Sequence, residues 1–595
     1  MTLHLILITT VMSTFPLLGG GSGQSDTPEE TGAVAATAPD SVVWGSLARN
    51  EPRPARLSRE LQRVDAESRV NVIVQYKTSP TERHHARVES LGGHVVQRLD
   101  LIRGGAYSLS GRALRELAAD DEVEHISVDH AVTGLMDYAE PTVNANIAYS
   151  AGDNGNGITV AVIDSGIMDT HPDLQSHGTS RVVYGQNFVP NDGNSYFDRF
   201  GHGTHVAGII GGNAARSTGS SYLHTFLGIA PNVSFVNLRV LDQNGAGNDS
   251  SVIAAIQQAI ALKSQYNIRV INLSLGRPVY ESYTVDPLCQ AVEKAWKAGI
   301  VVVVAAGNDG RNNSANTSGY ATISAPGNDP YVITVGAMKD ERTLSRGDDL
   351  IASYSSKGPT LFDHVVKPDL VAPGNRINAA LPAGLTLTNT YPQGQIPWTY
   401  YVRNGNAGPS VDYYDLSGTS MAAGVVSGAA ALLLQQNSTL TPDAVKARLM
   451  KTATKSFPAS SVATDPVTGQ TYTSYYDLFT VGAGYLDVWA ALNSSDPLPA
   501  GTNAMSPAVS YNASTGQVTL VNGTNVVWGT NVVWGTNVVW GTNVVWGTNV
   551  VWGTNVVWGT KSLSGFNVVW GTNVVWGTTS SDSEESIGVA VNGEN

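Results

Sequence analysis

Runs of β-branched and other apolar residues recur along the middle of the chain, separated by polar, Gly-rich stretches. Runs without polar alternation are typical of strands buried on both faces of a parallel sheet. Between several of these runs lie longer stretches with helical spacing, notably Ser250–Tyr266 and Cys289–Ala298. From about Asn144 to Asn493 the pattern therefore predicts a doubly wound α/β domain with a largely parallel sheet. Its predicted strands are Ile158–Ile163, Val233–Val240, Arg269–Ser274, Ile300–Ala305 and Val332–Val335.

A shorter pattern of six elements precedes this domain, from Val70 to Val132. The order β-α-β-β-α-β predicts a ferredoxin-like unit. A unit of fewer than about 70 residues is small for an independent domain, so we expect it to depend on the surface of a partner. The predicted strands are Val72–Tyr76, His94–Leu101, Gly104–Leu109 and Val123–Val128, and the predicted helices are Thr81–Leu91 and Ala113–Ala119.

From Asn525 the chain repeats the hexapeptide Asn-Val-Val-Trp-Gly-Thr, and the six-residue register survives an interruption at Lys561–Phe566. An even period keeps each position on one face of a strand, and Gly-Thr can turn the chain. The repeats therefore predict a small β-solenoid or short β turns with Val and Trp inside. The competing interpretation is a disordered array that tends to aggregate, because Val and Trp are strand formers and the repeats carry almost no charge. The acidic segment Asp582–Glu585 is expected to be solvated.

Composition narrows the class of protein. The 595 residues carry a net charge of −14, only 14% of them are charged, and 62 are glycine. This favours a stable, loop-rich extracellular protein and argues against a nucleic-acid partner. Cys289 is the only cysteine, so no intramolecular disulfide can form. The apolar run Leu3–Leu18 predicts a secretory signal peptide, and it is too short and too often broken by polar residues to predict a membrane span.

Three short motifs carry side chains suited to nucleophilic chemistry. Asp164 ends the first predicted strand, where an acid is often only a turn or cap residue. His202 opens a helical stretch. A zinc site with His205 is disfavoured, because no Glu lies between the two histidines as in a zinc protease and no third ligand is in view. Ser420 lies where a loop becomes a helix, a position that serine often occupies as a cap. Alone, each motif has an ordinary structural explanation.

Taken together, the motifs fill the roles of one reaction. Ser420 is a poor nucleophile unless a neutral imidazole takes its proton, and His202 supplies that base. Asp164 supplies the carboxylate that fixes the imidazole tautomer and stabilises the imidazolium. Asn308 follows the strand Val301–Val304, and its side-chain amide can donate to a developing oxyanion without changing charge.

In their chain order of Asp, His and Ser, these stretches resemble the subtilisin-like serine proteases, the subtilases. The resemblance covers about Asn144 to Asn493 and, more loosely, the unit before it. It implies a serine endopeptidase that forms an acyl-enzyme. The matching stretches are Asp164-Ser165-Gly166, His202-Gly203-Thr204-His205-Val206-Ala207-Gly208, Ala305-Ala306-Gly307-Asn308 and Gly418-Thr419-Ser420-Met421-Ala422.

The resemblance also implies how substrate binds and how the enzyme matures. Two edge segments would pair their backbone groups with an extended peptide. Asp249 falls near an outer specificity pocket, which suggests tolerance for a basic side chain there. The unit before the domain looks like the family's propeptide, a chaperone and inhibitor, which implies self-cleavage between Asp129 and Asn144. The edge residues are Gly245, Ala246 and Gly247 in one segment and Ser274, Leu275 and Gly276 in the other.

The resemblance also raises the question of calcium, and the chain departs from the family's pattern at two places. The chemistry requires no cofactor, but structural calcium is common in the family. Asp173 matches a position that often binds it, although the loop Asn213–Phe226 that should complete the site lacks acidic residues. Where the family usually has Pro, this chain has Gly424, so the nucleophile's helix is expected to start less rigidly. The segment Ala383–Tyr414 is longer than a compact subtilase needs, and we expect an extra aromatic loop near the active site.

Two functional hypotheses stand at this point. The first is a secreted endopeptidase that acts on polypeptides, with its own propeptide as intramolecular inhibitor and surface or cell-wall contact through the Trp repeats. The second is a surface adhesion or scaffold protein whose protease fold is inactive and whose Trp array binds. The complete set of catalytic residues favours the first. The expected organisation is a signal peptide at 1–23, a flexible leader at 24–69, a propeptide at 70–135, a catalytic domain at 142–493, a linker at 494–524, the repeats at 525–578 and an acidic tail at 579–595.

Overall fold

The structure is a computed structural model, and its described residues leave out the expected signal peptide, most of the leader, most of the repeats and Asp582–Glu585. It describes residues 56–58, 61–129, 131–134, 141–314, 317–343, 346–465, 468–495, 503–512, 517–521 and 593–594, together with four short strands between 531 and 552. No helix in these ranges is both long enough and apolar enough to cross a membrane.

Residues 69–128 form an antiparallel sheet with two helices, called the N-terminal unit below. It comprises β1 (Arg69–Tyr76), α1 (Glu82–Ser90), β2 (His94–Leu99), β3 (Gly104–Ser110), α2 (Gly111–Ala118) and β4 (Val123–Val128). The strands lie in the order β2-β3-β1-β4. Alternate residues of β1 point to opposite faces, so Val72 and Val74 fill the unit's own core. Ile73, between them, joins the larger core of the chain.

The α/β unit follows. Its strands are β5 (Ala131–Gly134), β6 (Thr159–Asp164), β7 (Gln175–Ser176), β8 (Thr179–Ser180), β9 (Val182–Asn187), β10 (Ser234–Arg239), β11 (Ala246–Asn248), β12 (Ile268–Leu273), β13 (Leu275–Gly276), β14 (Val301–Ala305), β15 (Ile333–Lys339), β16 (Leu350–Ile351), β17 (Leu370–Pro373), β18 (Ile377–Ala380), β19 (Gln395–Pro397), β20 (Pro409–Leu416), β21 (Ser460–Thr464) and β22 (Thr471–Tyr475). Its helices are α3 (Ala145–Ser150), α4 (His202–Gly211), α5 (Asp249–Tyr266), α6 (Pro287–Lys297), α7 (Thr386–Thr390), α8 (Trp398–Tyr401), α9 (Thr419–Gln436), α10 (Pro442–Thr452), α11 (Leu478–Val481) and α12 (Val488–Leu492).

Eight strands build the central sheet, in the order β16-β15-β14-β12-β6-β10-β9 with β17 beside β15. All pair in parallel except β16, which is antiparallel to β15. Every residue of β6 and β14 is buried, as their continuous apolar runs require. Helix α4 packs against α9 and α5 packs against α6, and each pair also contacts the sheet. The prediction of an α/β fold with a largely parallel sheet is confirmed.

The N-terminal unit lies on α5 and α6. The backbone N–H of Leu101 donates to the side-chain oxygen of Gln257 on α5 at 2.8 Å. The amide of Gln75 donates to the side-chain oxygen of Gln290 on α6 at 2.5 Å. These two helices therefore cover the apolar face that so small a unit cannot bury by itself.

Beyond α12 the chain returns to the α/β unit. Strands β23 (Ala508–Asn512) and β24 (Gln517–Val521) form a hairpin. Its start is held by the N–H of Val366, which donates to the carbonyl of Pro507 at 2.8 Å. Within the repeats, β25 (Asn531–Val532), β26 (Trp540–Gly541), β27 (Val544–Trp546) and β28 (Val550–Trp552) pair antiparallel. Both predictions for the array as a whole, solenoid or aggregation-prone chain, stay predictions.

Candidate active site

Asp164 and His202 form a buried hydrogen-bonded pair where two elements meet. Strand β6 ends at Asp164 and α4 begins at His202, and Nδ1 of the imidazole is 2.7 Å from Oδ1 of the carboxylate. Neither side chain is exposed. Because a carboxylate only accepts, Nδ1 carries the proton, and Nε2 of the neutral imidazole is left as an acceptor. A Cβ on Gly203 would collide with the carbonyl of Gly166, so glycine lets α4 approach β6 this closely.

A second buried carboxylate, Asp198, fixes the start of α4. Its Oδ1 accepts from the N–H of Gly201 at 2.7 Å, and its Oδ2 accepts from the N–H and the hydroxyl of Thr204 at 2.9 and 2.6 Å. The first turn of a helix offers such unpaired N–H groups and favours negative charge. Burial raises the pKa of Asp198. Sequence reasoning missed this positioning residue, whose one signal was an acid four residues before His202.

Ser420 is the second residue of α9, and it contacts the residue that follows β12. Its hydroxyl donates to the carbonyl of Ser274 at 3.1 Å, and the hydroxyl of Ser274 donates to the carbonyl of Ser420 at 2.6 Å. Strands β6 and β12 are parallel neighbours, so Asp164 and Ser274 lie at the same edge of the sheet. Helix α9 runs from Thr419 to Gln436 without interruption at Gly424.

Asn308 follows β14 and is locked in one orientation by the start of α9. Its Oδ1 accepts from the N–H of Thr419 at 2.9 Å and from the hydroxyl of Thr419 at 3.1 Å. Because an N–H needs an acceptor, this contact assigns the amide oxygen and places Nδ2 on the other side. Within the described part of the chain, Nδ2 is buried and has no hydrogen-bond partner. A buried donor without a partner costs free energy unless a ligand accepts from it.

The two predicted edge segments lie on either side of one extended strand of the chain itself. Strands β11 and β13 both pair antiparallel with β5. Thr133 lies opposite Ala246 on one side and Gly276 on the other. Of the predicted edge residues, Ala246, Gly247, Leu275 and Gly276 belong to the two strands, while Gly245 and Ser274 directly precede them.

The strand between the edges is held at its start by a side-chain contact. Just before β5, Asp129 accepts from the N–H of Ser250 at 2.8 Å and from its hydroxyl at 2.5 Å. Ser250 lies in the first turn of α5, where an acid is favoured by the helix dipole. The segment therefore enters the space between the edges in a fixed direction.

The second histidine of the motif, His205, is also buried but serves the fold. Its Nε2 lies 3.0 Å from the carbonyl of Tyr414. Burial lowers the pKa of His205 to about 3, so the imidazole is neutral. The Nε2 atom of His205 is therefore engaged by a backbone carbonyl of β20.

The expectation that Asp249 walls a pocket for a basic substrate side chain is wrong. Asp249 is fully buried, and its two oxygens accept from Nε of Arg277 at 3.1 and 2.9 Å. The same guanidinium donates to Asp286 at 2.8 Å. A carboxylate already paired with a buried arginine has no exposed oxygen to offer a substrate. No local pattern pairs the two residues, because Arg277 lies 28 positions after Asp249, beyond strand β12.

The donors around Asp173 do not fit a calcium ion. Tyr413 donates its hydroxyl to Oδ2 at 2.6 Å, and the N–H of Arg216 donates to Oδ1 at 2.9 Å. Calcium requires six to eight oxygen ligands, yet both oxygens here face donors. Burial raises the pKa of Asp173, and the two hydrogen bonds oppose this shift because they stabilise the carboxylate. Among the described residues, no group of three or more His, Cys, Asp or Glu is arranged to hold a metal.

Replacing Tyr413 tests this arrangement. We expect Tyr413→Phe to lower the free energy of unfolding by about 1–3 kcal/mol, because a buried carboxylate loses a donor. Tyr400→Phe, in the same segment, is the matched control and should stay within about 0.5 kcal/mol. Unfolding would be measured in guanidinium with Ser420→Ala present in every sample to prevent digestion. If EDTA destabilises the Ser420→Ala parent, which keeps Tyr413, as much as Tyr413→Phe does, the replacement of calcium by the tyrosine would be contradicted.

The long segment 383–414 packs beside the chain that leads into α4. The N–H groups of Thr386 and Leu387 donate to the carbonyls of Arg199 and Phe200 at 3.1 and 3.0 Å. Several of its aromatic residues belong to a cluster separate from the main core. The cluster comprises Ile396, Tyr401 and Tyr413, surrounded by Tyr222, Phe226, Trp398, Tyr400 and Val402. The segment thus supports the residues directly before His202.

Known proteins are similar to this chain in sequence and in fold. The profile of the subtilase family matches residues 155–474, more than half of the chain. Serine protease AprX of Bacillus subtilis (strain 168) is 34% identical over 407 residues, covering 65% of this chain and 83% of the relative. Subtilisin E of the same strain is 35% identical over 389 residues, covering 64% and 84%. The "Extracellular serine proteinase" of Thermus sp. (strain Rt41A) is 33% identical over 363 residues, covering 59% and 71%.

A solved structure agrees at the level of the fold. The crystal structure of fervidolysin from Fervidobacterium pennivorans, a keratinolytic enzyme related to subtilisin, superposes with a TM-score of 0.53 at 22% identity. The match covers 73% of this chain, and the chain spans 62% of that structure's length. The family profile and the two Bacillus relatives go further than the fold. The chain belongs to the subtilase family and is a serine-type endopeptidase.

Proposed function

We propose that the chain is a secreted endopeptidase that works through Asp164, His202 and Ser420 and is made as a self-processed zymogen. The observation that carries the proposal is the buried 2.7 Å hydrogen bond between Asp164 and His202. It fixes the tautomer in which Nε2 accepts a proton, at the edge of the sheet where the helix of Ser420 begins.

The proposed reaction starts with the transfer of a proton. Nε2 of His202 takes the hydroxyl proton of Ser420 while Oγ attacks the carbonyl carbon of the scissile bond. The carboxylate of Asp164 stabilises the imidazolium, which then gives the proton to the departing amine nitrogen as the C–N bond breaks. Water attacks the acyl-enzyme in the second half, and Ser420 recovers its proton through the same imidazole. No step requires a cofactor.

Asn308 supplies the stabilisation that the tetrahedral intermediate needs. Oxyanion stabilisation depends on donors that are oriented before the reaction. Nδ2 meets this condition, because Thr419 holds the amide oxygen and leaves the nitrogen buried without a partner among the described residues. The start of α9 adds the positive end of a helix dipole beside Ser420.

Polypeptide substrates would bind as a strand between the two edge segments. Backbone pairing on both sides gives affinity with little demand on sequence. The chain's own strand β5 lies in that space with antiparallel pairing to β11 and β13. This arrangement supports a role for the N-terminal unit as a ferredoxin-like propeptide that blocks the cleft until it is removed.

The register of β5 points to one cleavage site. Gly134 lies opposite Leu275, so the next residue in sequence, Leu135, would come opposite Ser274. The carbonyl of Ser274 is the group that Ser420 contacts. We therefore expect self-cleavage between Leu135 and Met136, to be measured as the mass of the released propeptide and the N-terminal sequence of the mature chain at early times.

A matched variant makes this prediction sharp. Leu135→Pro should slow the cut strongly, because proline at the residue before the scissile bond disturbs its approach to Ser420. The control is Val96→Ala, which changes an exposed residue of β2, and this variant should process normally. Leu101→Pro cannot serve as the control, because the N–H of Leu101 donates to Gln257. A first cut at any bond other than Leu135–Met136 would rule out the register.

Secretion and the use of the repeats complete the proposal. The run Leu3–Leu18 has the pattern of a signal peptide, and the Thermus relative is named an extracellular proteinase. Outside the cell, the Trp repeats would contact surfaces or cell walls through an aromatic, uncharged array. Both statements concern residues that lie mostly outside the described ranges.

Labelling with a serine-directed phosphonate tests the function directly. The mature protein should hydrolyse casein, and the phosphonate should stop hydrolysis while adding one label at Ser420, located by peptide mass mapping. Ser427→Ala, on the same helix, is the control and should be labelled as wild type. A folded, processed domain that neither takes the label nor cuts casein would favour the alternative, a scaffold protein with an inactive protease fold.

A further inference from the structure

The short segment Gly593–Glu594, after the repeats, is bound to the α/β unit. Glu594 is only 5% exposed. Its carboxylate accepts from Nη2 of Arg311 at 2.7 Å and from the N–H of Ser353 at 3.0 and 3.2 Å, and the hydroxyl of Ser353 donates to it as well. A carboxylate buried to this degree needs such partners, and here it has both a cation and backbone and hydroxyl donors.

A buried asparagine forms hydrogen bonds with the backbone of the same segment. The side-chain amide of Asn375 donates from Nδ2 to the carbonyl of Glu594 at 3.0 Å. Its Oδ1 accepts from the N–H of Glu594 at 2.9 Å. Asn375 is 3% exposed, so this two-point contact is closed to water. A side-chain amide that pairs with both backbone groups of one residue fixes the direction of the chain through the site.

The residue before the glutamate must be glycine. Gly593 has a φ of +64°, which side chains other than glycine rarely adopt. A Cβ there would collide with the side chain of Arg376 and lie 2.8 Å from Oγ of Ser417. The backbone angle therefore selects glycine and the buried charge selects glutamate, while the backbone pairing with Asn375 fixes the position of the dipeptide.

The site is built into the α/β unit and does not depend on the segment alone. Arg311 is held from three other sides: Nη1 donates to Asp465 at 2.9 Å, Nε donates to Ser353 at 2.8 Å, and the guanidinium lies 4.9 Å from the ring centre of Tyr472. The arginine is thus oriented by its neighbours, with Nη2 directed at Glu594.

We propose that the α/β unit carries a binding site for Gly593–Glu594 and that this site closes the repeat region into a loop attached to the protease at both ends. The other attachment lies before the repeats, where Val366 binds Pro507 and Ser506 binds the buried Asp369. Roughly the whole Trp array falls between the two attachments. The proposal thus concerns the two ends of this region, at Ser506–Pro507 and at Gly593–Glu594.

Peptide binding to a shortened chain tests the site. A Ser420→Ala protein that lacks residues 593–595 should bind a fluorescent Ala-Val-Asn-Gly-Glu-Asn peptide, measured by anisotropy. Replacing the glutamate of the peptide by glutamine, or its glycine by alanine, should weaken binding about tenfold or more, because a charge-assisted bond or the required φ is lost. The full-length Ser420→Ala chain should bind the peptide at least about tenfold more weakly, since its own segment occupies the site.

Hydrogen exchange provides a second measurement in the full-length chain. In Glu594→Ala, the amide of Ser353 loses its acceptor and should exchange about tenfold faster or more. Glu585→Ala removes an acid from the same tail and is the control, in which that amide should exchange as in the parent. Equal exchange in the two variants, or equal binding of the Glu and Gln peptides, would overturn the proposal.

Discussion

Replacing Ser420 by alanine is expected to abolish hydrolysis and to leave the propeptide attached. In the subtilisins themselves, loss of the nucleophile lowers kcat by about 10⁶-fold, and we expect a loss of that order here. The cut between Leu135 and Met136 should also disappear. The hydroxyl of Ser420 contacts Ser274, and Ser274 directly precedes Leu275, the residue opposite Gly134 of β5. Intact mass of the purified protein and casein hydrolysis measure the two effects.

The control for this variant lies on the same helix. Ser427→Ala also removes a buried hydroxyl from α9, and it should keep processing and activity within a few fold. Both proteins would be purified from a host without secreted proteases of its own. A Ser420→Ala chain that still loses its propeptide under these conditions would show that another protease, or another nucleophile, makes the cut.

Replacing Asn308 is expected to lower kcat strongly while changing KM little. Removing the corresponding donor from a subtilisin is known to cost on the order of 10²–10³ in kcat, and the unpartnered Nδ2 of Asn308 predicts the same range here. The effect falls on kcat because the donor serves an oxyanion that exists only in the transition state and intermediate. Steady-state kinetics on a peptide anilide separates the two constants.

Two further variants separate donation from packing. Asn308→Asp keeps an oxygen for the N–H of Thr419 but loses the Nδ2 donor, so its kcat should fall at least as far as that of Asn308→Ala. Asn313→Ala, in the loop after the same strand, should keep the activity of the parent. An Asn308→Asp enzyme with nearly normal kcat would assign Asn308 to supporting α9 and not to the oxyanion.

Much of the fold could be predicted because its strands are buried on both faces. Such strands must be continuously apolar, so runs like Ile158–Ile163 mark them to within a residue or two of the observed Thr159–Asp164. The boundaries of α5 were equally accessible, with Ser250–Tyr266 predicted and Asp249–Tyr266 observed. In the N-terminal unit, the last strand falls at Val123–Val128 as predicted.

The interactions that the sequence could not reveal join side chains far apart in the chain. Tyr413 and Asp173 are bonded across 240 positions, and no local pattern pairs them. The expectation for Asp249 is wrong for the same reason, because its carboxylate is paired with the distant Arg277. Asp198 escaped notice because its partners are backbone N–H groups, which every residue has. Sequence motifs therefore identify residues that act on a substrate, but they do not identify the residues that hold those residues in position.

The position of β5 has a consequence for the time course of activation. Cutting one peptide bond changes the connectivity of the chain but none of the contacts that hold the strand between β11 and β13, or Asp129 on Ser250. If the chain is cut as proposed, the severed segment would therefore remain a bound product, and its rate of dissociation would set when the cleft opens. Activity should lag behind processing, and the lag should shorten once the first free molecules begin to digest the segments that their neighbours release.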